Sequence, residues 1–122
     1  MSKHSRLIIL FGSRAKGTAN QQSDVDVAAL ADHPLDLPEK TELAQKIAGR
    51  FSVSEDKVDV VDLWAASPLL QYQIAETGQL LEGDGFDFIR FRVLAWKRYQ
   101  DTAKFRRIRE ESLSRYVQRN NT

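Results

Sequence analysis

The stretch that decides the fold is LFGSRAKGTANQQSDVDVAAL, residues 10–30. An apolar run ends at Gly12, a Gly/Ser/Lys/Arg-rich segment follows, and a Val/Ala-rich run opens with Asp24 and Asp26. Side chains alternate along a strand, so two aspartates separated by two residues project from one face. Val25, Val27 and the following Ala-Ala-Leu mark that strand as covered on both sides. Two carboxylates held together on such a strand repel each other unless a cation or water lies between them.

The loop before them has a matching character. A glycine where a strand ends lets backbone N–H groups approach an anion, and a helix beginning at Ser13 adds unpaired donors and the serine hydroxyl. GSRAKGT spaces its glycines as a P-loop does, but Thr18 stands where the lysine is required, so the P-loop reading fails. Phosphate at Gly12-Ser13 and Mg²⁺ at Asp24 and Asp26 form one coherent site, because Mg²⁺ takes one or two carboxylates together with substrate phosphate oxygens. KVDVVDL, residues 57–63, offers a third carboxylate. Asp59 and Asp62 differ by three and face opposite sides of that strand, so only one joins the pair. Asp59, within the run, is preferred over Asp62 at its exit. Two-metal phosphoryl or nucleotidyl transfer needs this inventory of acids beside a phosphate-binding turn.

Outward from the stretch, RLIILF (6–11), residues 24–30 and residues 57–64 read as strands, and QLLEG as a small edge strand. Pro34 and Pro38 break the chain, and the spacing of Leu43, Ala44, Ile47 and Phe51 predicts a helix from Glu39 to about Gly49. Ser67 and Pro68 open a helix that stops at Gly78. From Phe86 a long helical region begins, interrupted by a break, with a polar end RNNT that frays. Its apolar residues fall on two stripes, Ile89, Val93 and Trp96 on one and Phe88, Phe91, Ala95 and Tyr99 on the other. That is more apolar surface than one small sheet buries, and it points to an interface. This order predicts an α/β (α+β) layer structure, a small mixed sheet flanked by helices with a long C-terminal helical segment. About a dozen residues separate the first two strands, just enough for a helical crossover starting near Ser13.

The 122 residues make one domain, with a core at 7–82 and a helical region at 85–118. No apolar run exceeds five residues, which excludes a membrane span, and no signal peptide is read. The absence of cysteine excludes thiolate metal sites and fits a cytoplasmic protein. Only His4 and His33 are present, in unrelated contexts, which argues against a histidine zinc site. The net charge of +1 hides an asymmetry. Residues 1–83 carry 8 basic and 12 acidic side chains, residues 84–122 carry 10 and 5, so an acidic body bears a basic tail.

Gly12-Ser13, ten residues, then Asp24-Val25-Asp26 resembles the G-S-x10-D-x-D signature of the nucleotidyltransferases related to DNA polymerase β. With KVDVVDLW downstream, the chain is most similar to the minimal nucleotidyltransferases, over residues 7–82. The resemblance implies that Asp24, Asp26 and Asp59 hold Mg²⁺ as a two-ion site and carry the catalysis. It implies that Gly12 and Ser13 bind the phosphates of ATP, with Arg14 and Lys16 assisting. Members of that group are commonly antitoxins that transfer AMP from ATP to a tyrosine hydroxyl of a HEPN-domain RNase toxin. That expectation stands against three others: neutralisation by binding alone, AMP transfer to a small molecule such as an aminoglycoside, and direct nucleic-acid binding by the basic tail, the weakest. The group has a helix before the first strand where this chain has about five residues, which predicts one open flank of the sheet. The lack of a second helical domain favours a protein acceptor.

Overall fold

The computed structural model describes residues 6–17 and 23–120, with side chains through residue 119. A four-stranded sheet has the order β3-β2-β1-β4, where β1 is Leu7–Phe11, β2 Val25–Leu30, β3 Val58–Asp62 and β4 Gln79–Glu82. β1 pairs antiparallel with both β2 and β4, while β2 and β3 run parallel. The connection from β1 to β2 is therefore a return between antiparallel neighbours rather than the crossover considered above. A short helix α1 (Ser13–Lys16) does begin where expected. The crossover that a parallel pair requires is made by α2 (Leu37–Phe51), between β2 and β3.

Strand alternation builds two cores. On one face Ile8, Leu10, Val25, Val27 and Ala29 pack against Leu43 and Ile47 of α2. On the other, Leu7, Ile9 and Ala28 meet Ile74 and Ala75 of α3 (Pro68–Thr77) and Phe91 and Ala95 of α4 (Gly85–Asn120). β2 is thus covered on both sides, as its composition predicts. A cavity of about 570 Å³ lies against Leu7, Leu30, Leu63, Trp64, Phe91 and Leu94 on this second face.

The limits of α2 differ from the expectation because of its cap. Asp36 accepts from the Glu39 N–H at 2.8 Å and the Glu39 carboxylate accepts from the Asp36 N–H at 3.2 Å, a closed capping box. Pro38, read as a breaker, sits in the first turn, where a missing N–H costs nothing. Gly49 lies inside the helix, and Ser52 supplies the left-handed terminus instead. α4 is continuous for 36 residues, with no break. It is about 54 Å long. Asp84 caps it by accepting from the N–H groups of Phe86 and Asp87.

The loop leading into α2 is held by His33, whose Nδ1 lies 2.6 Å from Asp32 and Nε2 2.7 Å from Glu39. Glu39 and then Asp32, as hydrogen-bond partners, raise the His33 pKa, and His33 in turn lowers that of Glu39. A raised histidine contributes stability that is complete below its ordinary 6.5 and is lost as pH rises through the raised value. A lowered glutamate contributes above its ordinary 4.5 and loses the contribution on acidification. The clamp is therefore complete between about pH 4.5 and 6.5. In thermal melts, H33Q is expected to lag the parent protein most in that window, with the gap closing as pH rises past the His33 pKa.

Candidate active site

At the end of β1, Phe11 stands opposite Asp26 in the antiparallel register. The chain then turns at Gly12 with φ 75° and ψ −155°, a conformation that essentially only glycine adopts. A side chain here would also collide with the Asp26 carboxylate. Glycine is required twice over, once for the turn and once so that backbone and carboxylate can touch.

Asp24 precedes β2, Asp26 is its second residue, and Asp59 is the second residue of β3, directly beside Asp26 in the parallel ladder. All three lie on the sheet face that carries Ala28 and Val61, towards α3 and α4. Asp24 and Asp59 are exposed and Asp26 is half-buried. The Asp26 pKa is raised, first by burial and then by the charges of Asp59 and Asp24. Three carboxylates therefore load one strip of sheet with mutually repelling negative charge, an arrangement relieved by a proton or a cation. Among the described residues no three acidic or imidazole groups close into a ready-made cage. An open row of hard oxygen donors suits Mg²⁺ nonetheless, since that ion keeps several waters and completes its shell with phosphate oxygens.

Asp62 takes the other part. It faces α2, is 8% exposed, and accepts from the N–H groups of Leu35 and Trp64, both at 3.0 Å. Its carboxylate ties the chain leaving β2 to the chain leaving β3. The two neighbours should separate cleanly on substitution. D62A is expected to lose roughly 1–3 kcal/mol of stability, the cost of leaving buried donors unpaired. D59N should melt like the parent protein and lose activity instead. Denaturant titration beside an activity assay reads both.

The basic residues of the loop also divide. Arg14 donates from Nε and Nη2 to the Ser23 carbonyl at 3.3 and 3.0 Å and lies over the Phe51 ring, 5.8 Å from its centroid. Phe51 belongs to the α2 core, so Arg14 braces α1 to the start of β2 on the face opposite the acids. Lys16 instead lines a cavity of about 350 Å³ with Phe11, Gly12, Tyr72, Gln73 and Glu76. That wall of α3 residues escaped the sequence reading, because nothing in PLLQYQIAET marks one face as a ligand wall until α3 is laid across the end of β1. The Gln79 side chain of β4 donates to the Ala15 carbonyl at 2.8 Å and fixes α1 from below. The larger cavity beside Leu7 and Trp64 does not include Gly12 or any of the three acids, so chemistry rather than size locates the candidate site.

A G-S turn at the end of one strand, paired acids on the next and a third acid in register beyond are the frame of a polymerase-β-type nucleotidyltransferase. The chain matches the family described as Polymerase beta, Nucleotidyltransferase over residues 2–84, and it belongs to that family. It is 42% identical over 95 residues to the protein adenylyltransferase MntA of Shewanella oneidensis, covering 78% of this chain and 66% of that protein. The chain thus spans just under two thirds of that relative's length. The MntA of Aphanizomenon flos-aquae is 32% identical over 124 residues, covering 93% and 81%. Among solved structures, a toxin–antitoxin complex with AMP-PNP contains a chain with 37% identity and a TM-score of 0.72, covering 93% of this chain and 89% of that one. A complex of tri-AMPylated Shewanella oneidensis HEPN toxin with MNT antitoxin gives 34% identity and a TM-score of 0.65, covering 93% and 86%.

Proposed function

We propose that this chain is a Mg²⁺-dependent protein adenylyltransferase that moves AMP from ATP to a tyrosine hydroxyl of a cognate HEPN RNase toxin and thereby neutralises it. The observation that carries the reading is the in-register pair Asp26–Asp59, with Asp24 beside it, against a glycine turn that no side chain can occupy. The names of the relatives, AMP-PNP in one similar complex and AMPylated toxin in another support it.

Each residue has a part in this chemistry. Asp24, Asp26 and Asp59 would hold the cation, which neutralises phosphate charge and makes the α-phosphorus a better electrophile. Gly12 and Ser13 present backbone N–H groups and a hydroxyl to the phosphates, and Lys16 adds a positive charge from the cavity wall. Arg14 serves by bracing the turn. The phenol of the acceptor approaches across the α3 side, the face on which the acids lie.

Purified protein incubated with Mg²⁺, labelled ATP and its toxin should label the toxin on tyrosine. An unlabelled toxin, with folded protein verified, overturns the reading. One observation favours a second reading, neutralisation by binding alone. α4 presents Phe86, Ile89, Val93 and Trp96 to solvent, each more than half exposed, an apolar outer face suited to a protein partner. Protection of cells by a protein lacking Asp24 and Asp26 would favour that alternative. Among the described residues no helix is long and apolar enough to cross a membrane. A cytoplasmic setting, where ATP is available, belongs to the same proposal.

A further inference from the structure

We propose that, in the absence of toxin, this chain transfers AMP to its own Tyr72, a self-modification that closes its nucleotide cavity. The inference rests on the adenylyltransferase reading and adds an intramolecular acceptor to it. Three observations on α3 and α4 carry it.

The first is position. Tyr72 lines the same cavity of about 350 Å³ as Gly12 and Lys16, so the residue borders the turn proposed to hold the triphosphate. The second is a proton acceptor. Glu76 lies one helical turn on and lines that cavity too, which puts a carboxylate beside the phenol-bearing residue. The Glu76 charge, first, and then burial raise the Tyr72 pKa, so the phenol stays protonated until a base takes its proton. The third is pre-organisation. The Tyr72 ring stacks on Tyr99, with centroids 4.2 Å apart and planes 13° from parallel. The Arg106 guanidinium lies 4.3 Å from the Tyr99 centroid, completing a three-tier stack between α3 and α4. A held nucleophile needs no orienting at the moment of attack. The other described tyrosines lack this setting: Tyr99 lines none of the cavities described above, and Tyr116 stands on the outlying part of α4, 67% exposed.

In the step, Tyr72 Oη bonds to the α-phosphorus of ATP as the bond from that phosphorus to the oxygen bridging the β-phosphate breaks. Pyrophosphate leaves with that oxygen, and the phenolic proton passes to the Glu76 carboxylate. The product carries AMP inside the chamber that the next ATP must enter. The modified chain would therefore be shut, and free antitoxin would stop consuming ATP after one turnover.

The test uses the full chain alone with Mg²⁺ and ATP, read by intact mass and peptide mapping, with a parallel reaction containing its toxin. One AMP should be added, on Tyr72, at a first-order rate unchanged over about a tenfold range of protein concentration, as expected of an intramolecular step. Y72F, which keeps the ring for stacking, should gain no AMP, and Y99F should still gain it. E76Q should slow the addition about a hundredfold, as for removal of a general base. If the toxin is labelled while the chain gains nothing, or gains AMP at another residue, self-modification at Tyr72 is overturned and the adenylyltransferase reading stands. If neither protein is labelled, both fall together.

Discussion

Replacing Asp24 and Asp26 together by asparagine is expected to lower AMP transfer by about a thousandfold or more while leaving the domain folded. A catalytic cation supplies several kcal/mol of transition-state stabilisation, and each 1.36 kcal/mol is tenfold in rate. The fold has no use for these charges, since neither residue belongs to a core cluster and both stand beside a third carboxylate. The Asp26 pKa is raised in the folded state, so the folded protein holds that proton more tightly than the unfolded chain. Its contribution to stability is present below 3.8 and lost as pH rises through the raised value, which makes ionised Asp26 a net cost at neutral pH. The double variant should consequently melt no lower than the parent at pH 7, with any advantage closing on acidification. Saturating Mg²⁺ should raise the Tm of the parent, because it binds the folded state alone, and leave the variant unmoved. A variant that unfolds would mean that the acids are structural.

Gly12→Ala is expected to damage both stability and activity. Alanine at φ 75° and ψ −155° costs about 1–3 kcal/mol as backbone strain. Its methyl group meets the Asp26 carboxylate, which must swing aside to make room. Activity should fall about a hundredfold beyond what the lost stability explains, since a displacement near 1 Å of a positioning group costs that much. Kinetics at saturating Mg²⁺, alongside a denaturant titration, separate the two losses. Unchanged kinetics would mean that Asp26 does not work against the turn.

How far the sequence could be read depended on how local each signal was. The period of two in DVDV and the apolar run before Gly12 are local, and the strands they predict are present. The juxtaposition of Asp26 and Asp59 is not local, yet parity anticipates it, because only one of Asp59 and Asp62 shares a face with the pair. The register then places Asp59 beside Asp26, and Asp62 on the α2 side. The strand direction could not be read in the same way. β1 and β2 are antiparallel across a connection long enough for either arrangement, and the pairing partners decide it. α2 starts before Glu39 because Asp36 and Glu39 form a capping box around Pro38, a residue that by itself signals a break. Arg14 and Lys16 have similar side chains two residues apart, and only the packing of Phe51 and α3 around α1 sends them to opposite faces. The two stripes of α4 were visible as a pattern. The sequence had no means to say that Phe91 and Ala95 are buried while Ile89 and Val93 are not, because that depends on where α3 lies.

The length of α4 has a consequence for its own cooperativity. Its first four turns are pinned to α3 by Phe91, Ala95 and the Arg92 bond to the Ala75 carbonyl, but from Lys104 to Arg119 every residue is exposed. An isolated helix of that length is marginal in water, because nucleation is costly and each added residue gains little. The outer half is therefore held as a helix chiefly by propagation from the pinned half, and its helix–coil balance is separate from global unfolding. Whatever covers Phe105, Ile108, Leu113 and Tyr116 would act on that balance directly, so the occupancy of this arm and its helicity are two readings of one equilibrium.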